Sequence, residues 1–175
     1  PHIVREVLDV ETKVPTPVAK EPIGQLQLSP EHLDIIKRAM IGVNIEGTSA
    51  TSFVGAQYVS AGKTGTAQVF TVKQNEKYNA ATVDERMRDH ALYIAFAPAD
   101  EPRVALAMVV ENAGFGAQNA APIARRVLDF VILGQYPSEE DIAAVQKGQA
   151  TRPIGKPRDV ANVPWPPKSI AAAAA

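Results

Sequence analysis

One stretch, residues 61–70 (Ala-Gly-Lys-Thr-Gly-Thr-Ala-Gln-Val-Phe), constrains the fold of this chain most strongly. Its glycines, its single ammonium group and its β-branched and aromatic end are typical of an extended strand that something approaches closely. Because side chains alternate along a strand, Lys63 and Gly65 share one face. Thr64 and Thr66 share the other face. A ligand served by all of these groups must lie along the strand's edge, where unpaired backbone N–H groups also favour an anion.

Composition and charge exclude several classes of protein. The chain has 175 residues, of which 46% are hydrophobic and 21% charged, as is ordinary for one soluble domain. A net charge of −1, with no local cluster of Lys and Arg, predicts no nucleic-acid partner. The absence of Cys excludes disulfides and thiolate metal sites. The chain opens with Pro1, without a signal peptide, so we expect it to be a piece of a longer protein.

Hydrophobic periodicity predicts a helix, three strands and a second helix. Ser29 is a good N-cap, with Pro30 at the first helical position and an apolar stripe following at helical spacing. The second and third strands are joined by a short turn and therefore form an antiparallel hairpin. The near-continuous apolar run of the third strand predicts burial on both faces. The predicted elements are a helix from Ser29 to a stop at 46–48, strands over 58–72, 90–98 and 103–111, and a helix over 120–133.

These elements divide the chain into three parts. Residues 1–28 read as an extended connector with short strands, and residues 29–136 hold the helix, the three strands and the last helix. Residues 137–175 are rich in proline and alanine and predict a mobile tail. The polar segment 73–90, with a short helical turn near its end, is an insertion between two predicted strands. An insertion of this length favours a functional role.

Two motifs near Lys63 match other chemistry by letters alone. A phosphate-binding loop needs a glycine where Gln57 stands, and it needs a helix after Thr64, where the sequence favours a strand. Ser60 and Lys63 match S-x-x-K, but that pair requires a helix to bring both onto one face. We therefore do not expect Ser60 to be a nucleophile. The three histidines are scattered and predict no metal site.

The residues around Lys63 also resemble a known family. Residues 61–70 are similar to the third active-site motif, K-T-G, of class B penicillin-binding proteins. Within that family the similarity is greatest to the penicillin-binding protein 2 branch of Gram-negative rod-shaped bacteria, and it reaches from residue 1 to about 134. The resemblance implies an α+β fold, namely the C-terminal part of a serine β-lactamase/transpeptidase-like domain with antiparallel sheet strands flanked by helices. The matching segments are 1–4, 61–70, 88–92, 95–98, 111–112 and 120–124.

The resemblance assigns roles to four residues of the predicted strand. Lys63 would be a catalytic cation beside the serine of the family's second motif, and the backbone N–H of Thr66 would be a catalytic oxyanion-hole donor. The hydroxyls of Thr64 and Thr66 would bind the carboxylate of the substrate or of a β-lactam. Gly65 would let the ligand lie against the strand. No cofactor and no metal are implied.

The sequence departs from the family at the nucleophile. S-x-x-K is absent apart from the match at Ser60, and no serine is followed two residues later by asparagine, so S-x-N is absent as well. In the family both motifs precede K-T-G, as does a membrane anchor. We therefore expect the C-terminal part of a transpeptidase domain, which alone forms no acyl-enzyme. We also expect it to be unstable unless the other strands of the sheet are supplied.

The function implied is that of a peptidoglycan D,D-transpeptidase in lateral wall elongation. The expected partners are the D-Ala-D-Ala stem peptide, β-lactam antibiotics, the N-terminal remainder of the same protein and membrane proteins of an elongation complex. The expected location is the periplasmic side of the bacterial inner membrane, with the anchor outside this chain. The alternative is a catalytically silent interaction module that kept the strand without the chemistry.

Overall fold

A computed structural model describes residues 4–19, 22, 24–71, 78–79, 82–149 and 151–163. The chain divides into two compact units, Pro1–Leu33 and Asp34–Ala175. In chain order the elements are β1 (Glu6–Leu8), β2 (Pro15–Pro17), α1 (Pro30–Ile45), α2 (Ala50–Phe53), β3 (Ala61–Ala67), β4 (His90–Ala97), β5 (Val104–Val110), α3 (Gly116–Asn119), α4 (Ala121–Leu133), β6 (Gln135–Tyr136), α5 (Glu139–Gln146) and β7 (Arg158–Asp159). Short 3₁₀ turns cover Glu85–Met87 and Val160–Asn162. Across these described segments we find no helix of the length and apolar character that crossing a membrane requires.

The first unit contains an antiparallel hairpin of β1 and β2. Its turn is built around Asp9, whose carboxylate accepts hydrogen bonds from the backbone N–H groups of Glu11 and Thr12 at 3.0 and 2.7 Å. Such side-chain bonds to nearby backbone favour a turn over regular structure. Short strands are thus present within the segment in which the sequence predicted them.

Helix α1 begins as the sequence predicted, because Ser29 Oγ accepts a hydrogen bond from the N–H of His32 at 3.2 Å. Its apolar stripe, however, is not buried along its whole length. Ile35 and Ile36 are 57% and 54% exposed, whereas residues 40–43 are half-buried. A helical stripe becomes buried only where another element packs on it, and periodicity alone does not report that packing.

The second unit contains a three-stranded antiparallel sheet in the order β3-β4-β5. The predicted hairpin of the second and third strands is confirmed. Strand β3 is shorter than predicted, since it ends at Ala67, and part of the predicted strand lies outside the described residues. The predicted burial of β5 on both faces is wrong, because its residues alternate between half-buried and exposed, with Val109 61% exposed.

One face of this sheet forms the core with helix α4. The alternate residues Ala91, Tyr93, Ala95 and Ala97 of β4 are buried and pack with Leu128 and other residues of α4. Small alanine side chains allow the helix to approach the strand closely, and Tyr93 fills the remaining volume. This packing fixes β4, and through its ladder it fixes the adjacent strand β3.

The segment after Tyr136 differs from the predicted mobile tail over its first part. It contains helix α5, whose N-cap Ser138 accepts a hydrogen bond from the N–H of Asp141 at 3.0 Å. The Asp141 carboxylate is fully buried and accepts two hydrogen bonds from Arg126, at 2.7 and 2.8 Å. This pair joins α5 to α4. The five terminal alanines lie outside the described residues.

Candidate functional site at the edge of the sheet

The four residues singled out by the sequence lie on strand β3, which pairs with β4 and is an edge strand among the strands that the structure describes. Lys63 is exposed, and its Nζ donates a 2.8 Å hydrogen bond to the backbone carbonyl of Thr64. Thr66 is exposed, while Thr64 and Gly65 are half-buried. The ammonium group and the two hydroxyls therefore lie on one edge strand, and their roles in binding a ligand stay a prediction.

A residue that the sequence did not single out completes this group. The hydroxyl of Thr48 lies 2.8 Å from the hydroxyl of Thr64, although the two residues are 16 positions apart. Thr48 follows helix α1, in a segment that the sequence analysis interpreted only as a helix stop. No local signal reveals this contact, since it depends on where the end of α1 meets the sheet.

A buried network of polar side chains holds these two elements together. The Asn44 Nδ2 group donates to Ser60 Oγ at 2.8 Å, and Asn44 Oδ1 accepts from Ser49 Oγ at 2.6 Å and from the Tyr93 hydroxyl at 2.7 Å. All four side chains are buried. Satisfied buried networks of this kind fix one arrangement of a core, because any alternative leaves a polar group unpaired.

Ser60 belongs to this network. It is only 4% exposed, and its hydroxyl oxygen accepts a hydrogen bond from the side-chain amide of Asn44. It lies immediately before β3, rather than one helical turn before Lys63 on a helix face. The geometry of an S-x-x-K nucleophile and base is therefore not present at this position.

Tyr93 shapes the start of β3 as well. Burial raises the pKa of its hydroxyl, although the hydrogen bonds with Ser49 and Asn44 act in the opposite direction. A Cβ on Gly62 would overlap the hydroxyl oxygen of Tyr93 and the ring carbon Cζ that carries it. Position 62 therefore requires glycine, because the Tyr93 hydroxyl occupies the space that a side chain would need.

Two other glycines set how the sheet packs near the candidate site. A Cβ on Gly65 would lie 3.2 Å from the Leu92 Cβ, so the cross-strand neighbour already fills this space. A Cβ on Gly116 would overlap the carbonyl oxygens of Gly65 and Leu92. Helix α3 therefore lies directly against the backbone of the edge strand at Gly65.

A second polar cluster supports the core behind β4. Arg125 Nε donates to both oxygens of Asp129 at 2.8 and 2.9 Å, and the Tyr58 hydroxyl donates to the same carboxylate at 2.9 Å. Burial, together with the Asp129 charge, raises the pKa of Tyr58. Arg125 also lies over the ring of Phe53, which stacks on Tyr93 at a centroid distance of 6.0 Å. These contacts are structural, and within the described residues no cluster suited to a metal ion is found.

Comparison with known proteins identifies the family. The penicillin binding protein transpeptidase domain family matches residues 1–129, and the chain therefore belongs to that family. Within it the chain is of the class B, penicillin-binding protein 2 type, as the sequence resemblance predicted. The predicted α+β transpeptidase-like fold is confirmed.

Two relatives and one solved structure show the extent of this similarity. The peptidoglycan D,D-transpeptidase MrdA of Haemophilus influenzae is 45% identical over 106 residues, which cover 59% of this chain and 16% of that protein. The protein of the same name in Escherichia coli K12 is 39% identical over 137 residues, which cover 77% of this chain and 21% of that protein. The crystal structure of Pseudomonas aeruginosa PBP2 in complex with WCK 5153 aligns with a TM-score of 0.55 and 34% identity, over 67% of this chain and 24% of that one. The chain thus spans about a fifth of the curated relatives that it matches.

Proposed function

We propose that this chain is the C-terminal part of the transpeptidase domain of a peptidoglycan D,D-transpeptidase, which cross-links stem peptides by serine acyl transfer. It supplies the strand that binds the substrate carboxylate and the oxyanion, and the serine nucleophile comes from the N-terminal remainder of the same protein. The observation that carries the proposal is that Lys63, Thr64 and Thr66 all lie on β3, the edge strand of the described sheet. The family membership supplies the reaction class.

The backbone of β3 supports the role of Thr66. The Lys63 ammonium reaches the carbonyl of Thr64, so this carbonyl is accessible from the free side of the strand. In an antiparallel ladder, alternate residues turn their N–H and C=O groups to the same side. Thr66, two residues later, therefore directs its N–H outward, where an oxyanion would lie. Removing one oxyanion donor typically costs about 2.7–4 kcal/mol of transition-state stabilisation.

The remaining roles follow from charge and shape. The hydroxyls of Thr64 and Thr66 bind the carboxylate of the D-Ala-D-Ala stem peptide or of a β-lactam, since hydroxyl donors and a nearby ammonium suit an anion. In the complete protein, Lys63 gives up its hydrogen bond to the Thr64 carbonyl and instead donates to the serine of S-x-N, the family's second motif. Gly65 keeps the strand flat against Leu92, so that the ligand approaches the backbone from the edge.

Exposed apolar surface supports the need for a covering segment. Ile35 and Ile36 of α1 are more than half exposed, as is Val109 of β5, and within the described part of the chain β5 pairs with β4 alone. Exposed apolar patches and unpaired strand edges mark surfaces that another element covers. The N-terminal remainder of the protein is the occupant we propose, and it also carries S-x-x-K, S-x-N and the membrane anchor. The site then faces the periplasm, where membrane proteins of the elongation complex are the proposed partners.

The deciding experiment is labelling of the complete protein by a fluorescent penicillin, with intact mass to count adducts. Lys63→Ala should label about ten- to a hundredfold more slowly, because a hydrogen bond to a charged group contributes about 1.5–3 kcal/mol. Lys147→Ala, at an exposed position after α5, is the matched control and should label like the wild type. A folded protein that forms no adduct would favour the silent interaction module instead.

A further inference from the structure

We propose that Thr48 is a positioning residue, whose hydroxyl directs the single proton of Thr64 towards the bound carboxylate. The inference rests on the proposed function, in which Thr64 is a carboxylate ligand. Its structural basis is the 2.8 Å contact between the two hydroxyl oxygens, with Thr64 in the middle of strand β3. Both side chains are accessible, Thr48 being exposed and Thr64 half-buried.

Counting protons gives the direction of this contact. A threonine hydroxyl has one proton to donate and two lone pairs, whereas an ionised carboxylate only accepts. If Thr64 donates its proton to Thr48, it has none left for the ligand. Thr64 therefore binds a carboxylate only when Thr48 is the donor in the shared hydrogen bond. The resulting chain runs from the Thr48 hydroxyl to the Thr64 hydroxyl and then to the carboxylate, and each bond polarises the next.

The structure holds Thr48 in place from both sides. The next residue, Ser49, is 1% exposed and donates from its hydroxyl to Asn44 Oδ1 at 2.6 Å and from its backbone N–H to Val43 at 3.2 Å. The N–H of Ala50 bonds to the carbonyl of Gly47 at 3.1 Å, which closes the turn around Thr48. A β-branched side chain on so constrained a backbone has few χ1 rotamers. The hydroxyl is thus presented to Thr64 with little conformational freedom.

This arrangement predicts that replacing Thr48 slows acylation by changing the orientation of the Thr64 hydroxyl. Without the Thr48 hydroxyl, the Thr64 hydroxyl loses its donor and rotates among orientations of which only some face the ligand. The expected loss is about three- to tenfold in the second-order rate constant of acylation by a β-lactam, as for one neutral hydrogen bond. Serine at position 48 keeps the hydroxyl and should restore most of the rate.

The test uses the complete protein and benzylpenicillin, with acylation followed by intact mass. Thr48→Val removes the hydroxyl and keeps the branched shape, Thr48→Ser restores it, and Thr51→Val is the matched control at an exposed position of α2. We expect a three- to tenfold loss for Thr48→Val alone. We also expect Thr48→Val to add no further loss in a Thr64→Val background, because a residue that acts through another has no effect once that residue is removed.

Three outcomes would overturn the inference. Thr48→Val acylating at the wild-type rate, or losing the same factor in the Thr64→Val background, removes the positioning role while leaving the proposed function intact. A folded wild-type protein that is not acylated overturns the proposed function and this inference together. Circular dichroism checks that each variant folds. Should Thr48→Val not fold, Thr48→Ala replaces it in the same comparison with Thr48→Ser.

Discussion

The Tyr93 hydroxyl donates a 2.7 Å hydrogen bond to Asn44 Oδ1, across 49 positions of the chain. Tyr93 lies opposite Thr64 in the ladder between β3 and β4. Asn44 is close to the end of α1, four residues before Thr48. This one bond therefore couples the position of the helix end to the strand that carries the candidate site. The hydroxyl pair of Thr48 and Thr64 depends on it.

Removing that bond should destabilise the protein without changing its shape. Tyr93→Phe keeps the ring and removes one of the two hydroxyl donors, Tyr93 and Ser49, that Asn44 Oδ1 has among the described residues. We expect a loss of about 1–3 kcal/mol in the free energy of unfolding, measured by urea titration. Tyr136→Phe, which keeps the ring contact with Arg158, is the control and should change little. Equal stability of Tyr93→Phe and the control would contradict the role of the network.

Alkaline pH should lower the free energy of unfolding, because two tyrosines with raised pKa values lose their protons. Burial raises the pKa of both Tyr58 and Tyr93 above the value of about 10 of an unfolded chain. Their protonated forms therefore contribute stability that is fully present below pH ~10 and is lost as the pH rises further. The free energy of unfolding should fall more steeply above that pH in the wild type than in a Tyr58→Phe/Tyr93→Phe variant. Parallel curves for the two proteins would exclude this effect.

The contact between α4 and α5 should depend on the charge of Asp141. Its fully buried carboxylate pairs with Arg126 and also accepts the N–H of Ile154 at 3.2 Å. Asp141→Asn leaves Arg126 without its counter-charge, and removing one partner of a buried pair costs about 3–5 kcal/mol. Limited proteolysis should then cleave within 139–154 more rapidly. Glu140→Gln, at the exposed neighbouring position, should not change the cleavage rate, and the same rate in both variants would rule out the anchoring role.

Gly116 should tolerate no side chain. A Cβ there overlaps backbone oxygens of Gly65 and Leu92, which cannot rotate away as a side chain would. Gly116→Ala should cost about 1–3 kcal/mol of stability, as overpacking does, and displace α3 from the edge strand. Thermal unfolding measures the first effect, and penicillin labelling of the complete protein, which supplies the nucleophile, measures the second. At Gly24 an added Cβ meets no atom of the described residues within 4 Å, so Gly24→Ala is the control. Identical melting temperatures for the two variants would disprove the close approach.

Local chemistry in the sequence predicted where several helices begin and end. The Ser29 cap and Pro30 give the start of α1, and Gly134, at a φ of 63°, ends α4 where the sequence placed the stop. Alternation and glycine spacing indicated that Lys63 and Thr66 lie on a strand with a ligand-accessible edge. These features depend on residues a few positions apart, and so neighbouring residues suffice to determine them.

Other features follow from contacts between distant segments. No pattern in the sequence pairs Thr48 with Thr64, buries Asp141 against Arg126 or exposes one face of β5, because each depends on which surface packs against which. The sequence by itself determined that the residues around Lys63 lie on a strand and to which family the chain belongs. The tertiary structure alone decided which hydroxyl stands beside Thr64, because that contact exists only once α1 has docked on the sheet through Asn44 and Tyr93.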